Sequence, residues 1–258
     1  MGIIIENKNC LDYLSTIEDE SVDLVLTDPP YFIGFDGGKG WDSQWKTEEE
    51  YLAWCKLWTD ECVRVLKPNR MLVVWGTLKT DTFLRYKLDI LNSYESMHGQ
   101  NEIIWGYNWG GRTKKNFARK HEYAWCYSKG KDFLFNDHDI RVERKVKKNL
   151  RTGKEHTQGT IPTCIWEKNN HTTSKDFIGW HPTTKNIDIL ERIIRAYSNE
   201  GDNVLDIFSG SGSTAVACVR SNRNFSGCEL DQEYHEKSLI RINESIGLTK
   251  YMKEMKTL

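Results

Sequence analysis

The stretch Val204-Leu205-Asp206-Ile207-Phe208-Ser209-Gly210-Ser211-Gly212-Ser213-Thr214 decides how the rest of the chain is read. Its first four residues form an apolar run with one embedded carboxylate and read as a buried strand. Gly210 and Gly212 let the backbone turn tightly and approach a ligand, and Thr214 to Arg220 opens a helix whose first N–H groups lack helical partners. Phe225 to Leu230 reads as the next strand, and Glu229 near its end is placed to hold two ribose hydroxyls. Strand, glycine loop, helix and acid-tipped strand together predict a nucleoside-containing cofactor. Glycine spacing alone does not separate a nicotinamide dinucleotide from S-adenosylmethionine. Asp206 favours the latter, because a carboxylate there repels a pyrophosphate but accepts from the amine of an amino-acid moiety. No G-x-x-x-x-G-K-[ST] phosphate loop is present.

Outward from this stretch, strands and helices keep alternating. Ile3 to Ile5 reads as a strand, Asn9 to Leu14 as a short helix and Ser21 to Leu26 as a second strand. Glu48 to Leu66 carries apolar residues at helical spacing and is closed by Pro68-Asn69; Met71 to Trp75 follows as a buried strand. Thr80 to Tyr94 reads as a helix, Glu102 to Trp105 and His121 to Tyr127 as strands, and Asn186 to Tyr197 as an amphipathic helix. This alternation predicts an α/β sheet with helices on both faces. Phe32 to Trp45 interleaves Gly34, Gly37, Gly38 and Gly40 with aromatics; it suits a mobile loop closing over something flat, or an ordinary surface loop.

The chain has 258 residues, 38% hydrophobic and 28% charged, so a folded soluble protein of one large or two small domains is expected rather than a disordered one. No apolar run approaches membrane-spanning length, and Met1 to Asn9 lacks a cationic start followed by an apolar stretch; a cytoplasmic location is the expectation. The seven cysteines are odd in number and show no C-x-x-C spacing, so neither a disulfide frame nor a metal site is expected. The net charge of −1 does not announce a nucleic-acid binder, but Arg141, Arg144, Lys145, Lys147, Lys148, Arg151 and Lys154 crowd one segment opposed only by Glu143. That segment is either a solvated run or a phosphate-contacting one. It lies in a stretch, Asn136 to about Trp180, where periodicity fades and polar residues dominate, read here as an inserted recognition region.

A second motif, Thr27-Asp28-Pro29-Pro30-Tyr31, follows the apolar run Val22 to Leu26. Two prolines cannot continue a central strand, so the chain turns there into a stiff corner. Such a corner presents the Asp28 carboxylate, the Pro30 carbonyl and the Tyr31 ring together. Two acceptors and a stacking surface suit an exocyclic amino group on a nucleobase.

Taken with His181-Pro182-Thr183-Thr184-Lys185 and Phe208-Ser-Gly-Ser-Gly, the order of these motifs resembles that of the β-group amino-DNA methyltransferases, in which a catalytic half precedes a cofactor half with target recognition between them. Within that family the chain is most similar to the smaller adenine methyltransferases of GATC-type restriction systems, some of which also accept single-stranded DNA. The resemblance implies a Rossmann-like S-adenosylmethionine-dependent methyltransferase fold: a mixed sheet of about seven strands, the last antiparallel. Residues 1–135 would form the catalytic half, 136–180 the target-recognition region and 181–258 the cofactor half. Phe208, Ser209, Gly210, Gly212, Thr183 and Lys185 would surround the methionine end of S-adenosylmethionine, and Glu229 the ribose. Asn9 stands where the family usually has an Asp that accepts from the cofactor's adenine amine; an amide oxygen also accepts. Asn186 replaces a frequent Pro, and Thr184 a frequent Gln.

The resemblance further implies that Asp28 and the Pro30 carbonyl engage the protons of the target amino group while Tyr31 stacks on the extruded base. Asp28 favours adenine N6 by family habit, where Ser is more usual for cytosine N4. C5-cytosine chemistry is disfavoured, since none of the five prolines is followed by Cys. Arg144, Lys147, Lys148 and Arg151 would contact DNA phosphates. Many members are dimers, so a homodimer is the expectation.

Overall fold

The computed structural model describes residues 2–107, 113–144, 146, 148, 151–153, 155, 157–167 and 178–255, the last four of these by backbone alone. Among them the strands are β1 (Ile3–Asn7), β2 (Val22–Thr27), β3 (Leu66–Gly76), β4 (Met97–Gly106), β5 (His121–Lys129), β6 (Ile165–Glu167), β7 (Asn203–Asp206) and β8 (Asn224–Glu229). The helices are α1 (Cys10–Leu14), α2 (Glu48–Val65), α3 (Asp81–Arg85), α4 (Ile187–Tyr197), α5 (Ser213–Ser221) and α6 (Gln232–Met255). One sheet runs in the order β1-β8-β7-β2-β3-β5-β4-β6.

The sheet is α/β and mixed as expected, with two corrections. It has eight strands rather than seven, because Ile165–Glu167 in the inserted region pairs with β4 along Ile104–Gly106. The antiparallel strand is also not the last: β8 runs parallel to both β1 and β7, whereas β5 opposes β3 and β4. The polar link between β4 and β5 brings the chain straight back beside β4, which requires opposite direction.

The strand order places the site. Chain-distant β7 lies beside β2, with Leu24 opposite Val204 and Val25 opposite Leu205. From there β7 continues outward to β8, while β2 continues the other way to β3. The ends of β2 and β7 therefore flank the point where the strand order reverses, the crevice in which open α/β sheets hold ligands.

Each face of the sheet carries its own core. Ile187, Leu190, Ile193 and Ile194 of α4 pack with α5 on one face, and Tyr51, Cys55, Trp58 and Cys62 of α2 pack on the other. All six residues of β2 are buried, as befits a strand covered on both faces. Thr47 caps α2 by accepting the Glu50 N–H at 3.2 Å.

Element ends differ from expectation where the chain bends. Helix α2 stops at Val65, and Leu66 already pairs with Val22; the pairing then slips so that Leu24 meets Met71. Pro68-Asn69 thus sits in a bulge inside β3 rather than marking a helix end, a position a strand proline tolerates. Lys67 and Arg70 from that bulge reach back to buried Asp23 at 2.8 and 3.1 Å. The expected helix over Thr80 to Tyr94 has only five α-helical residues, followed by a wider turn at Tyr86–Ile90 and a tight one at Leu91–Ser93.

Gly76 ends β3 where no side chain fits. A Cβ there would lie 2.3 Å from Phe83 and 2.7 Å from Trp125. The Phe83 ring meets Tyr31 edge-on at 5.1 Å. Gly76→Ala is expected to lower stability by about 1–3 kcal/mol in urea unfolding, because it overpacks this contact. An unchanged midpoint would show that Phe83 moves freely.

Candidate active site

The acceptor corner begins where β2 ends. Tyr31 Oη donates to Asp28 Oδ1 at 2.5 Å, and the other Asp28 oxygen pairs with the Lys185 ammonium. Lys185 is buried, lies 3.2 Å from Glu122 Oε2, and sits over the Trp75 ring at 5.4 Å. Burial is the largest single influence on its pKa and lowers it, but Asp28 and Glu122 together outweigh burial and raise it, so it remains an ammonium. Burial first and Asp28 second push the Tyr31 phenol well above its ordinary value, so it stays a donor. The Pro30 carbonyl accepts from Tyr51 Oη at 2.7 Å, which fixes its direction and leaves a second lone pair.

The following segment is a tied strap rather than a slack loop. Phe32 has φ +55°, a left-handed conformation that costs a non-glycine residue about 1–2 kcal/mol. Buried Asp42 holds it there by accepting the N–H groups of Phe32 (2.7 Å), Ile33 (2.9 Å) and Phe35 (3.1 Å). The Phe32 ring stacks on Tyr51 at 5.1 Å, and Lys39 pairs with Glu233 and Asp231.

The glycine loop leaves β7 beside this corner. Gly210 and Gly212 have φ +49° and +74°. At Gly210 a Cβ would also meet His181 Nε2 at 2.9 Å, so both backbone angle and space require glycine. Burial lowers His181 to about 4, assisted by Lys185 and Arg241, so the imidazole is neutral near pH 7. Gly210 N–H donates to Glu229 Oε2 at 2.7 Å, and Asp231 N–H to Oε1 at 2.8 Å. Glu229 is thereby held at the tip of β8 with lone pairs to spare, its pKa raised chiefly by burial.

Both motifs open into one cavity of about 830 Å³. Its wall includes Asp28, Pro30 and Tyr31 on one side, Asn9, Phe208, Gly210 and Glu229 on the other, and Thr183, Lys185 and Glu122 between. Asn9 Oδ1 caps α1 by accepting the Leu11 N–H at 2.9 Å. Ser209 Oγ is buried with no hydrogen-bond partner among the described residues, although Ser209 itself is absent from the wall. The size suits a nucleoside with an amino-acid tail plus part of a second ligand.

One expectation is corrected by this geometry. Asp206 does not face the cavity: Oδ1 accepts from Thr27 Oγ1 (2.8 Å) and the Phe208 N–H (3.1 Å), and Oδ2 from Thr214 Oγ1 (2.7 Å). A buried strand carboxylate must find partners where it stands, and hydroxyls from β2 and α5 supply them. Lys185 lines the cavity with Thr183, its ammonium held at the acceptor corner by the Asp28 and Glu122 carboxylates. Glu122 was missed. Its sole sequence signal was an acid opening a strand, and its direction depends on β5 running antiparallel.

Of the cations expected to meet phosphates, Arg144 donates to the Gln158 carbonyl at 3.2 Å, Lys148 faces Glu155 at 3.5 Å and Arg151 lies in an exposed turn; none lines the cavity. Lys147 falls outside the described residues. All seven cysteines are free thiols, and among the described residues no helix is long and apolar enough to cross a membrane.

A glycine loop, an acid-tipped strand and an Asp-Pro-Pro-Tyr corner share one switch-point crevice, and the family pattern matching this chain makes it that of an S-adenosylmethionine-dependent methyltransferase. The chain belongs to the N6/N4 DNA methylase family, whose pattern matches residues 22–240. It is 33% identical over 241 residues to the type II methyltransferase M.HpaI of Haemophilus parainfluenzae, covering 93% of this chain and 74% of that one. It is 32% identical to the DNA adenine methyltransferase YhdJ of Escherichia coli K12, covering 91% and 81%. The fold is shared with the cytosine-N4-specific PvuII DNA methyltransferase (TM-score 0.72, 18% identity, 96% and 93% covered). It is shared also with M1.HpyAVI in complex with S-adenosylmethionine (TM-score 0.60, 24% identity, 93% and 99% covered).

Burial raises Asp206 to about 6 despite its three hydrogen bonds. The native state therefore holds this proton more tightly than the unfolded chain, so this group's contribution to stability falls as pH rises through roughly 4 to 6. In urea unfolding, wild type minus Asp206→Asn is expected to drop by up to about 3 kcal/mol across that window and stay flat above it. A difference independent of pH would show the carboxyl to titrate normally.

Proposed function

We propose that the protein methylates the N6 amino group of adenine in a short DNA sequence, GATC or a relative of it, as the modifying partner of a restriction system. The observation that carries this reading is the Asp28 carboxylate in one cavity with the glycine loop. S-adenosylmethionine supplies an electrophilic methyl group on a sulfonium. An aromatic amine is a poor nucleophile because its lone pair is conjugated with the ring. Asp28 and the Pro30 carbonyl accept hydrogen bonds from its two N–H groups, which favours a tetrahedral nitrogen and frees the lone pair for in-line attack as the S–CH3 bond breaks. Positive charge then grows on nitrogen, and Asp28 in the cavity wall stabilises it. The alkylated nitrogen then sheds one proton. Tyr31, braced by Phe83, stacks on the extruded base.

Lys185 has a part in this chemistry. Asp28, Glu122 and Lys185 together carry one net negative charge beside the place where the amine becomes cationic. Glu122 gives the ammonium a second partner, so Asp28 can turn an oxygen to the incoming amine without stranding a buried charge. Asn9, Thr183, Phe208, Gly210 and Glu229 hold the cofactor, with Ser209 and Gly212 shaping the loop and Asp206 bracing it from behind.

Residues 136–180 serve as the target-recognition region, with Arg144, Lys147, Lys148 and Arg151 on phosphates. Adenine is favoured by Asp rather than Ser at position 28 and by the name of YhdJ. The cytosine-N4 reading has its own support in the fold shared with the PvuII enzyme.

The test is tritium transfer from labelled S-adenosylmethionine to single- and double-stranded DNA, followed by nucleoside analysis. N6-methyladenine is expected; N4-methylcytosine would replace the adenine reading, and no transfer would end both. Asp28→Ala is expected to lower transfer by about 10²–10³-fold or more while cofactor affinity, measured by calorimetry, stays within about threefold. Glu122→Gln is expected to lower kcat by about tenfold or more with cofactor affinity likewise kept. A normal kcat in Glu122→Gln would show that Lys185 needs no second partner.

A further inference from the structure

Apart from buried Lys185, which is paired with Asp28 and Glu122, charge in the cavity is sorted by depth. Asp28, Asp42, Glu122 and Glu229 lie in its partly or fully buried wall, whereas Lys79 and Arg119 line it from exposed positions and so mark its mouth. Arg119 Nη1 donates to the Leu78 carbonyl at 2.6 Å, which ties the segment ahead of β5 to the connection after β3. Two residues before Arg119, Phe117 is 94% exposed, the most exposed large apolar side chain among the described residues. It follows a bend in the chain: its N–H donates to Asn116 Oδ1 at 2.8 Å, and Thr113 Oγ1 donates to the Asn116 carbonyl. Lys114 and Lys115 are exposed in the same bend, and Thr113 to Lys120 contains no acid.

A singly exposed apolar residue is ordinary, and folding does not need this one. An aromatic ring standing in water among cations, about 7 Å of extended chain from the mouth of a base-sized cavity, calls for a partner that is apolar within and anionic without. Duplex DNA fits that description. When a base leaves the stack, a few kcal/mol of stacking and pairing are lost and two base faces are uncovered. Apolar wedges inserted between base steps are a recurring way of covering such faces. We propose that Phe117 is this wedge: it enters the duplex where the target base leaves, while Lys114, Lys115 and Arg119 hold the flanking phosphates. This rests on the reading of the protein as a base-extruding DNA methyltransferase and adds the element that makes duplex DNA a substrate. A single strand has no stack to repair, so the wedge acts on duplex substrates alone.

The experiment compares wild type, Phe117→Ala and Phe117→Trp. Anisotropy measures binding to a short fluorescent duplex, intact or with one central abasic site. Wild type and Phe117→Trp are expected to prefer the abasic duplex by about tenfold, and Phe117→Ala to lose that preference. Tritium transfer is measured on a DNA preparation and on the same DNA heat-denatured. Phe117→Ala is expected to lose about tenfold or more on the duplex and stay within about threefold of wild type on single strands. Equal losses on both substrates, no loss on either, or a wild type indifferent to the abasic site would each overturn the wedge. A wild type that prefers the abasic duplex yet moves no tritium would instead sink the methyl-transfer reading and leave the wedge standing.

Discussion

The buried carboxylate of Asp206 holds the site together. Thr27 at the end of β2 and Thr214 in the first turn of α5 both donate to it, as does the Phe208 N–H at the start of the glycine loop. Thr27 and Asp206 are 179 positions apart in the chain. Three donors on one group fix the distance between the strand that carries the acceptor corner and the loop that holds the donor. Methyl transfer by direct displacement tolerates little slack in that distance, since near-attack geometry places the reacting atoms about 3–3.5 Å apart. Burial raises the carboxyl's proton affinity, so precise positioning comes with a stability cost that hydrogen bonds only partly offset.

A second buried carboxylate does comparable work within the corner. Asp42 gathers three backbone N–H groups and keeps Phe32 at a positive φ that its side chain alone would not choose. The strained residue comes directly after Tyr31, so the energy stored there is spent on the direction in which the corner leaves the sheet. Tyr51 adds a hydrogen bond to the Pro30 carbonyl and a stacking face for Phe32, which lets helix α2 support the corner from below. The result is a rigid acceptor platform braced from the sheet, the strap and one helix.

Around that platform the electrostatics are uneven by design of the fold. Acids lie in the wall of the cavity and exposed cations at its mouth. The interior suits a cationic donor and a nitrogen acquiring charge; the mouth suits a polyanion. A chain with a net charge of −1 thereby presents opposite faces to its two ligands, which the sum of its charges conceals.

Much of this was legible in the sequence. The two motifs, their order, the expectation of a nucleoside-containing cofactor and the position of Glu229 and Gly210 followed from local rules: apolar runs predict strands, glycines predict close approach, and an acid at a strand tip predicts a ribose. Local rules fail where the partner is far along the chain. Asp206 has a carboxylate's chemistry on its own, and only its burial between β2 and α5 turned it from ligand to brace. Lys185 belongs to a cofactor-side motif, and its ion pairs with Asp28 and Glu122 are visible only in the folded chain. Glu122 itself became visible once β5 was seen to run against its neighbours, bringing the strand's first residues to the same sheet edge as the end of β2. Residue chemistry and spacing are properties of the chain; which group answers which charge depends on distances that exist only after the sheet has closed over them.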